Sequence, residues 1–154
     1  MKAATLVPVE EYLRTMYHPD CDYVNGEVLE RNVGTYDHSN LQSELVYYFR
    51  TRRKQWNVQA VVEQRVQVAP TRYRIPDVCV VAGLGPQPAI FNEPPLICIE
   101  VLSKKDTLSS TQARVDDYLK FGVRYVWVIN PRNRRVWVWE SPPACRWQPH
   151  FWPR

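Results

Sequence analysis

The chain has 154 residues, a length typical of one domain, and 45% of them are hydrophobic and 23% charged. This composition excludes a largely disordered chain and allows a buried core. No apolar run is long enough to cross a bilayer, and residues 1–5 lack the apolar core of a secretory signal, so we expect a cytoplasmic protein. The net charge of +4 is compatible with an anionic partner without requiring one. The four cysteines contain no Cys-x-x-Cys pair, which argues against a zinc site.

The first third of the chain predicts two helices and a hairpin. Val9 to Met16 is expected to be a short helix, and Asn25-Gly26 between extended segments is a strong signal for a two-residue hairpin. A long helix is predicted from Ser39 to Lys54, because Ser39 and Gln42 fit a capping box and apolar residues recur at helical spacing. We interpret its basic end as complementing the helix C-terminus, and a phosphate contact is the less favoured alternative.

Strands dominate the middle and the end of the chain. Val58 to Val68 is predicted as one strand with alternating valine and glutamine, and a proline-containing loop is expected at 83–95. Leu108 to Phe121 is predicted as a helix that ends at Gly122. The other predicted strands are 74–81, 96–103, 125–129 and 136–139.

This order of elements predicts an α/β domain with a mixed central sheet flanked by helices. The strand at 96–103, the next helix and the strand at 125–129 fit one right-handed crossover. We expect residues 1–140 to form a single domain and the proline- and tryptophan-rich residues 141–154 to form a loosely packed tail. Trp137 and Trp139 give the last strand an aromatic face, which is either core or a homodimer contact.

Two carboxylates, Asp77 and Glu100, are set in short apolar segments. Burial of a lone carboxylate is costly, and two neighbouring carboxylates repel each other unless a proton or a cation lies between them. Hard cations such as Mg²⁺ take carboxylate and carbonyl oxygens and can activate a water for phosphodiester hydrolysis. The pair therefore predicts a divalent-cation site. The structural alternative is that Asp77 ends a turn and Glu100 pairs with an arginine.

Several motifs around this pair occur in the order of a known family. They are Ile75-Pro76-Asp77, Ile99-Glu100-Val101-Leu102-Ser103, Tyr118, Phe121-Gly122-Val123, Val126-Trp127-Val128 and Asn130-Pro131. Together they resemble the Uma-type restriction endonucleases, bacterial proteins of the PD-(D/E)XK nuclease superfamily. The resemblance runs from Val9 to Trp139. It implies a restriction-endonuclease-like fold, with a mixed central sheet, flanking helices and a metal site at one sheet edge, and it implies endonuclease (hydrolase) activity on DNA.

The resemblance also implies roles for individual residues. Asp77 and Glu100 would ligate Mg²⁺ (or Mn²⁺), with the backbone carbonyl of Val101 as a further ligand. His38 would contact the substrate or support a ligand, although a satisfied histidine at a helix start is an equal alternative. Lys104 and Lys105 would bind nucleic acid, with a solvated turn as the alternative.

One departure from the family pattern concerns the lysine. The superfamily places a lysine two residues after the glutamate, where this chain has Leu102, and many Uma-type members carry one at the position of Arg114. Arginine does not lose its proton, so Arg114 is expected to orient a water or to stabilise transition-state charge. A salt bridge from Arg114 to Asp117 or Glu100 is the alternative.

The sequence thus predicts a magnesium-dependent DNA endonuclease that uses a metal-activated water, with Asp77, Glu100 and Arg114 as its catalytic residues. The alternative is a catalytically weak or inactive nuclease-fold module that binds nucleic acid or a protein partner. A structural partner subunit is a third interpretation.

Overall fold

The computed structural model describes residues 6–31 and 34–142, and these residues form four helices and nine strands. The helices are α1 (Val9–Arg14), α2 (Tyr36–Thr51), α3 (Arg53–Trp56) and α4 (Leu108–Phe121). The strands are β1 (Asp22–Val24), β2 (Glu27–Leu29), β3 (Val58–Val62), β4 (Val66–Ala69), β5 (Arg72–Arg74), β6 (Val78–Ala82), β7 (Ile97–Val101), β8 (Tyr125–Asn130) and β9 (Arg135–Glu140). None of the helices in the described ranges is long and apolar enough to cross a membrane.

The strands form two sheets. The larger has the order β3-β6-β7-β8-β9, and its β7 and β8 are parallel while its other neighbours are antiparallel. The predicted mixed sheet is therefore confirmed, and α4 connects the two parallel strands as expected. A second, antiparallel sheet has the order β2-β1-β5-β4 and was not predicted as a separate sheet.

The larger sheet is buried between the two long helices. On one face, Phe49 of α2 packs in a core cluster with Val78 and Val80 of β6. On the other face, Val115 and Tyr118 of α4 belong to a cluster that includes alternate residues of the same strand. Because successive side chains of a strand point to opposite faces, the continuous apolar run of β6 serves both clusters.

The predicted capping box at the start of the long helix is wrong. The helix begins at Tyr36 with Thr35 as its N-cap residue, so Ser39 lies inside the first turns. Gln42 instead donates a 2.8 Å side-chain hydrogen bond to the backbone carbonyl of Asp77. A tertiary hydrogen bond to a loop carbonyl therefore takes the side chain that the local pattern assigned to the helix end.

The single strand predicted at 58–68 is also wrong, since the chain divides there between two sheets. β3 pairs with β6 in the larger sheet, whereas β4 pairs with β5 in the smaller one. Glu63, between them, has φ 50°, a left-handed conformation that ends a strand. The alternation of valine and glutamine was a sound indication of extended structure but carried no information about this break.

Smaller differences occur at the predicted apolar positions. Leu108, assigned to the buried stripe of α4, is the first residue of that helix and is exposed. On the edge strand β9, Trp139 packs against the core whereas Trp137 is 40% exposed. The predicted tail at 141–154 lies mostly outside the described residues, and the domain boundary at 140 stays a prediction.

Candidate active site

The register of β6 on β7 brings Asp77 and Glu100 together. Val78, at the start of β6, lies opposite Ile99, so the preceding Asp77 falls beside Glu100 and Val101. The sequence predicted that Asp77 lies within a strand, and this prediction is wrong. Asp77 lies between Pro76 and the first residue of β6. Both carboxylates are buried, with about 5% of each residue exposed. The sheet therefore joins two acids that are 23 positions apart in the chain.

Three donors hold the Asp77 carboxylate. The backbone N–H of Val101 donates to Oδ2 at 2.7 Å, and Nε2 of His38 lies 3.3 Å from the same oxygen. The guanidinium of Arg31 donates to Oδ1 at 2.7 Å. The hydrogen bond to Asp77 raises the pKa of His38, which favours the imidazolium form of a residue in the first turn of α2.

The second nitrogen of His38 lacks a hydrogen-bond partner within residues 6–31 and 34–142. Gly34 lies beside it, and a Cβ at that position would be only 3.1 Å from Nδ1. The ring is therefore fixed by Asp77 on one side and retains an unsatisfied nitrogen on the other. Because this nitrogen is buried, an ordered water is its natural partner.

Glu100 is held by two residues of α4. The hydroxyl of Tyr118 donates to Oε1 at 2.6 Å, and Nε of Arg114 lies 3.1 Å from Oε2 in an ion contact. Burial raises the pKa of Glu100 to about 7; the positive charge of Arg114 opposes this shift and the negative charge of Asp77 adds to it. Without a cation, Glu100 therefore titrates near neutrality, which indicates a carboxylate lacking full compensation.

Arg114 also binds Asp106 in the loop between β7 and α4. Its terminal nitrogen lies 2.9 Å from Oδ1 of Asp106, while Oδ2 accepts the N–H of Ser103 at 2.7 Å. Burial opposes ionisation of Asp106, but the Ser103 N–H and Arg114 hold its pKa below the usual value. The predicted alternative pairing of Arg114 with Glu100 is thus present, whereas the pairing with Asp117 is wrong.

Asp117 belongs instead to a second buried ion-pair cluster behind the site. It accepts from Arg72 at 2.6 Å and from Arg74 at 2.7 Å, and Arg74 also binds Asp22 at 2.9 Å. Asp22 in turn accepts the N–H of Ile75 at 3.1 Å. The cluster therefore links the segment before Asp77 to the helix that carries Arg114.

The predicted lysines lie outside this group. Lys104 and Lys105 form an exposed turn directly after β7, and neither makes an ion pair with a described residue. Leu102, at the position of the superfamily lysine, is half-buried and packs against the core cluster beneath α4. The position of Leu102 therefore offers no amine, whereas Lys104 and Lys105 place two amines in the loop that Asp106 anchors.

Sequence reasoning missed Arg31 and Asp106 and gave Tyr118 only a packing role. Asp106 carried a weak signal, since an acid three residues after Ser103 and just before a helix commonly binds a loop N–H. The sequence carried no signal for the role of Arg31, because 46 positions separate it from Asp77.

The donor set fits a divalent cation with few protein ligands. A carboxylate offers about four lone-pair sites, and both acids retain acceptor capacity. Asp77 accepts hydrogen bonds from Val101 and Arg31 and has an ion contact with His38, whereas Glu100 accepts one hydrogen bond from Tyr118 and has an ion contact with Arg114. The described residues contain no cluster of three or more His, Cys, Asp or Glu placed to hold a metal ion. Magnesium suits such a site because it keeps several waters and needs only one or two carboxylates.

The chain is similar to known proteins both in sequence and in fold. A family profile named Uma2 and described as putative restriction endonuclease matches residues 9–152. A crystal structure described as a putative nuclease belonging to DUF820, from Anabaena variabilis ATCC 29413, is similar with a TM-score of 0.75 and 23% identity. The alignment covers 89% of this chain and 82% of that chain, and at this identity it supports the fold alone. No curated protein is detectably similar to the chain.

Proposed function

Since the chain belongs to the Uma2 family of putative restriction endonucleases, we propose that it cleaves DNA phosphodiester bonds with Mg²⁺ or Mn²⁺ held by Asp77 and Glu100. The observation that carries this proposal is that Asp77 and Glu100 lie next to each other where β6 pairs with β7. The N–H of Val101, the residue after Glu100, donates to Asp77, and the charge of Asp77 contributes to the raised pKa of Glu100. A divalent cation between the two carboxylates would relieve that repulsion.

The protein residues in this proposal hold and orient the ligands. A bound divalent cation supplies a water of lowered pKa and neutralises charge on a phosphoryl oxygen. Tyr118 and Arg114 fix Glu100, while His38 and the Val101 N–H fix Asp77. The Val101 carbonyl is the third proposed ligand. Each acid is thus kept in one orientation by at least two polar contacts, as a preorganised site requires.

Positive groups around the acids are proposed to act on DNA. Arg114 stays charged because Glu100 and Asp106 raise its pKa despite burial, so it orients a water or stabilises phosphate charge and does not act as a base. Lys104 and Lys105 are exposed beside the site and are proposed to contact the phosphate backbone. His38 is proposed to contact the substrate or to support Asp77, and the burial of its Nδ1 together with the contact of its Nε2 to Asp77 favours the supporting role.

The test is cleavage of supercoiled plasmid by the purified chain in Mg²⁺ or Mn²⁺. We expect nicked or linear product that disappears in EDTA and in the Asp77→Asn and Glu100→Gln variants. Asp116→Asn is the matched control, because Asp116 is an exposed acid of α4 that binds only Gln112 among the described residues. Equal cleavage by wild type and Asp77→Asn over several divalent metals would overturn the enzyme proposal.

A non-cutting module remains the second candidate, and the observation in its favour is Leu102. With the half-buried Leu102 packed against the core and arginine at position 114, the chain lacks a lysine at either family position. Calorimetry with Mg²⁺ and with a DNA duplex separates the candidates. DNA binding without metal binding or turnover favours the module, whereas metal binding abolished by Asp77→Asn favours the nuclease.

A further inference from the structure

We propose that Arg31 is an exchangeable counter-cation of this site, which neutralises Asp77 when no metal is bound and binds a DNA phosphate when a divalent cation is present. The proposal rests on the proposed nuclease function and assigns a role that the family motifs do not include. Arg31 lies two residues beyond β2, the last strand of the hairpin in the smaller sheet, yet it reaches Asp77 directly before β6 of the larger sheet.

The two oxygens of Asp77 are not equivalent. Oδ2 accepts the Val101 N–H and faces His38, and both donors belong to regular elements of the fold. Among the described residues, Oδ1 accepts only from Arg31, at 2.7 Å. A cation that approaches Asp77 therefore finds Oδ1 as the less occupied oxygen, and it competes there with the guanidinium.

The charges of the site favour this exchange. When Glu100 is ionised, the three negative charges of Asp77, Glu100 and Asp106 face three positive charges on Arg31, Arg114 and the imidazolium of His38, which leaves the metal-free cluster near neutrality. The carboxylates of Asp77 and Glu100 raise the pKa of Arg31 despite its burial, so it stays positive. A divalent cation makes the same cluster positive, and repulsion between like charges then weakens the hold of Asp77 on Arg31. A phosphate restores the balance.

Arg31 is held by fewer partners than the other arginine of the site. The side chains of Arg31 and Arg114 are both 17% exposed, but among the described residues Arg31 pairs with Asp77 alone, whereas Arg114 pairs with both Glu100 and Asp106. Release of Arg31 from Asp77 therefore breaks a single ion pair. A guanidinium binds a phosphate through two parallel hydrogen bonds, which suits it better than lysine for such a contact.

The test measures metal and DNA binding separately in the full chain. Titration calorimetry with Mn²⁺ alone is expected to show about three- to tenfold tighter binding to Arg31→Gln than to wild type, because a competing charge is removed. Fluorescence anisotropy with a short duplex in Ca²⁺ is expected to show DNA binding that is weaker by about the same factor. A purely structural arginine would lower the melting temperature and leave metal affinity equal or weaker, which overturns the proposal.

Arg65→Gln is the matched control. Arg65 is also 17% exposed and pairs with an aspartate, Asp20, whose hydrogen bond raises the pKa of Arg65, and among the described residues it makes no ion pair with Asp77 or Glu100. This variant is expected to leave Mn²⁺ affinity unchanged. Equal tightening in Arg65→Gln and Arg31→Gln would mean that only net charge matters, and it would overturn the specific role of Arg31.

Arg31→Lys provides a second, milder variant. It keeps the charge and loses the paired hydrogen bonds, so Mn²⁺ affinity should stay within about twofold of wild type while DNA affinity falls. Wild-type DNA affinity in Arg31→Lys contradicts the phosphate contact. If wild type itself binds no Mn²⁺, the proposed function fails; if wild type binds and Arg31→Gln does not bind more tightly, only the role of Arg31 fails.

Discussion

The backbone N–H of Val101 donates a 2.7 Å hydrogen bond to Oδ2 of Asp77. This contact joins the segment before β6 to the end of β7 and continues the β6–β7 register that brings Asp77 beside Glu100. It also fixes one orientation of the Asp77 carboxylate.

Asp77→Ala is expected to destabilise the metal-free protein. The change leaves the Val101 N–H unpaired and removes the ion-pair partner of Arg31, a loss of about 3 kcal/mol for a largely buried charge. Urea unfolding followed by tryptophan fluorescence measures this loss. Relief of repulsion with Glu100 acts in the opposite direction, so a variant as stable as wild type would show that this repulsion dominates in the metal-free state.

Glu100 is expected to make the metal-free protein less stable as pH rises towards neutrality. Burial raises its folded pKa to about 7 from an ordinary value of 4.5, so the folded state binds the proton more tightly than the unfolded state. The contribution of Glu100 to the free energy of unfolding is fully present below pH ~4.5 and is lost as the pH rises through about 7. The change in this free energy is up to about 3 kcal/mol. Unfolding free energies of wild type and Glu100→Gln between pH 5 and 8 measure it. The variant should lack this decline, and parallel curves for the two proteins would refute the assignment.

Tyr118→Phe is expected to weaken metal binding with little change in packing. The variant keeps the buried ring and removes the hydroxyl that donates to Oε1 of Glu100 at 2.6 Å. The loss of one hydrogen bond to a charged group is about 1.5–3 kcal/mol for the ionised form, so Glu100 is held less well as a carboxylate. Mn²⁺ titration measures the affinity, and Leu119→Met, a change at a neighbouring half-buried position, is the packing control. Unchanged affinity in Tyr118→Phe would assign the hydroxyl to stability alone.

Arg74→Met is expected to be more destabilising than Arg72→Met. Arg74 joins Asp22 and Asp117 and its side chain is only 7% exposed, so its removal leaves two buried acids short of a partner, at about 3–5 kcal/mol. Arg72 is 34% exposed and leaves Asp117 still paired with Arg74, so its loss is about 1 kcal/mol or less. Thermal and urea unfolding of both variants measure the difference. Equal effects would mean that the buried cluster contributes no more than a surface ion pair.

Local sequence patterns predicted the elements whose determinants lie close together in the chain. The hairpin between β1 and β2 turns at Asn25 and Gly26, both of which have positive φ, as the Asn-Gly signal indicated. The predicted bounds of α4 agree with the structure, and Gly122 ends the helix in a left-handed conformation. Motif order also identified the family, because Asp77, Glu100 and the segments after them recur at recognisable spacing.

Tertiary structure alone decided the contacts that complete the candidate site. Gln42 donates to the carbonyl of Asp77 and does not take part in the predicted capping box. The left-handed conformation of Glu63 ends β3, so that the predicted single strand divides between two sheets. Arg31 reaches Asp77 across 46 positions, a pairing that no local pattern encodes. The sequence by itself determined which acids are present and which strands and helix carry them, since hydrophobic periodicity and turn residues act over a few positions. The partners of those acids depend on which distant segments the two sheets bring together, because burial leaves each carboxylate stable only beside donors that the folded chain supplies.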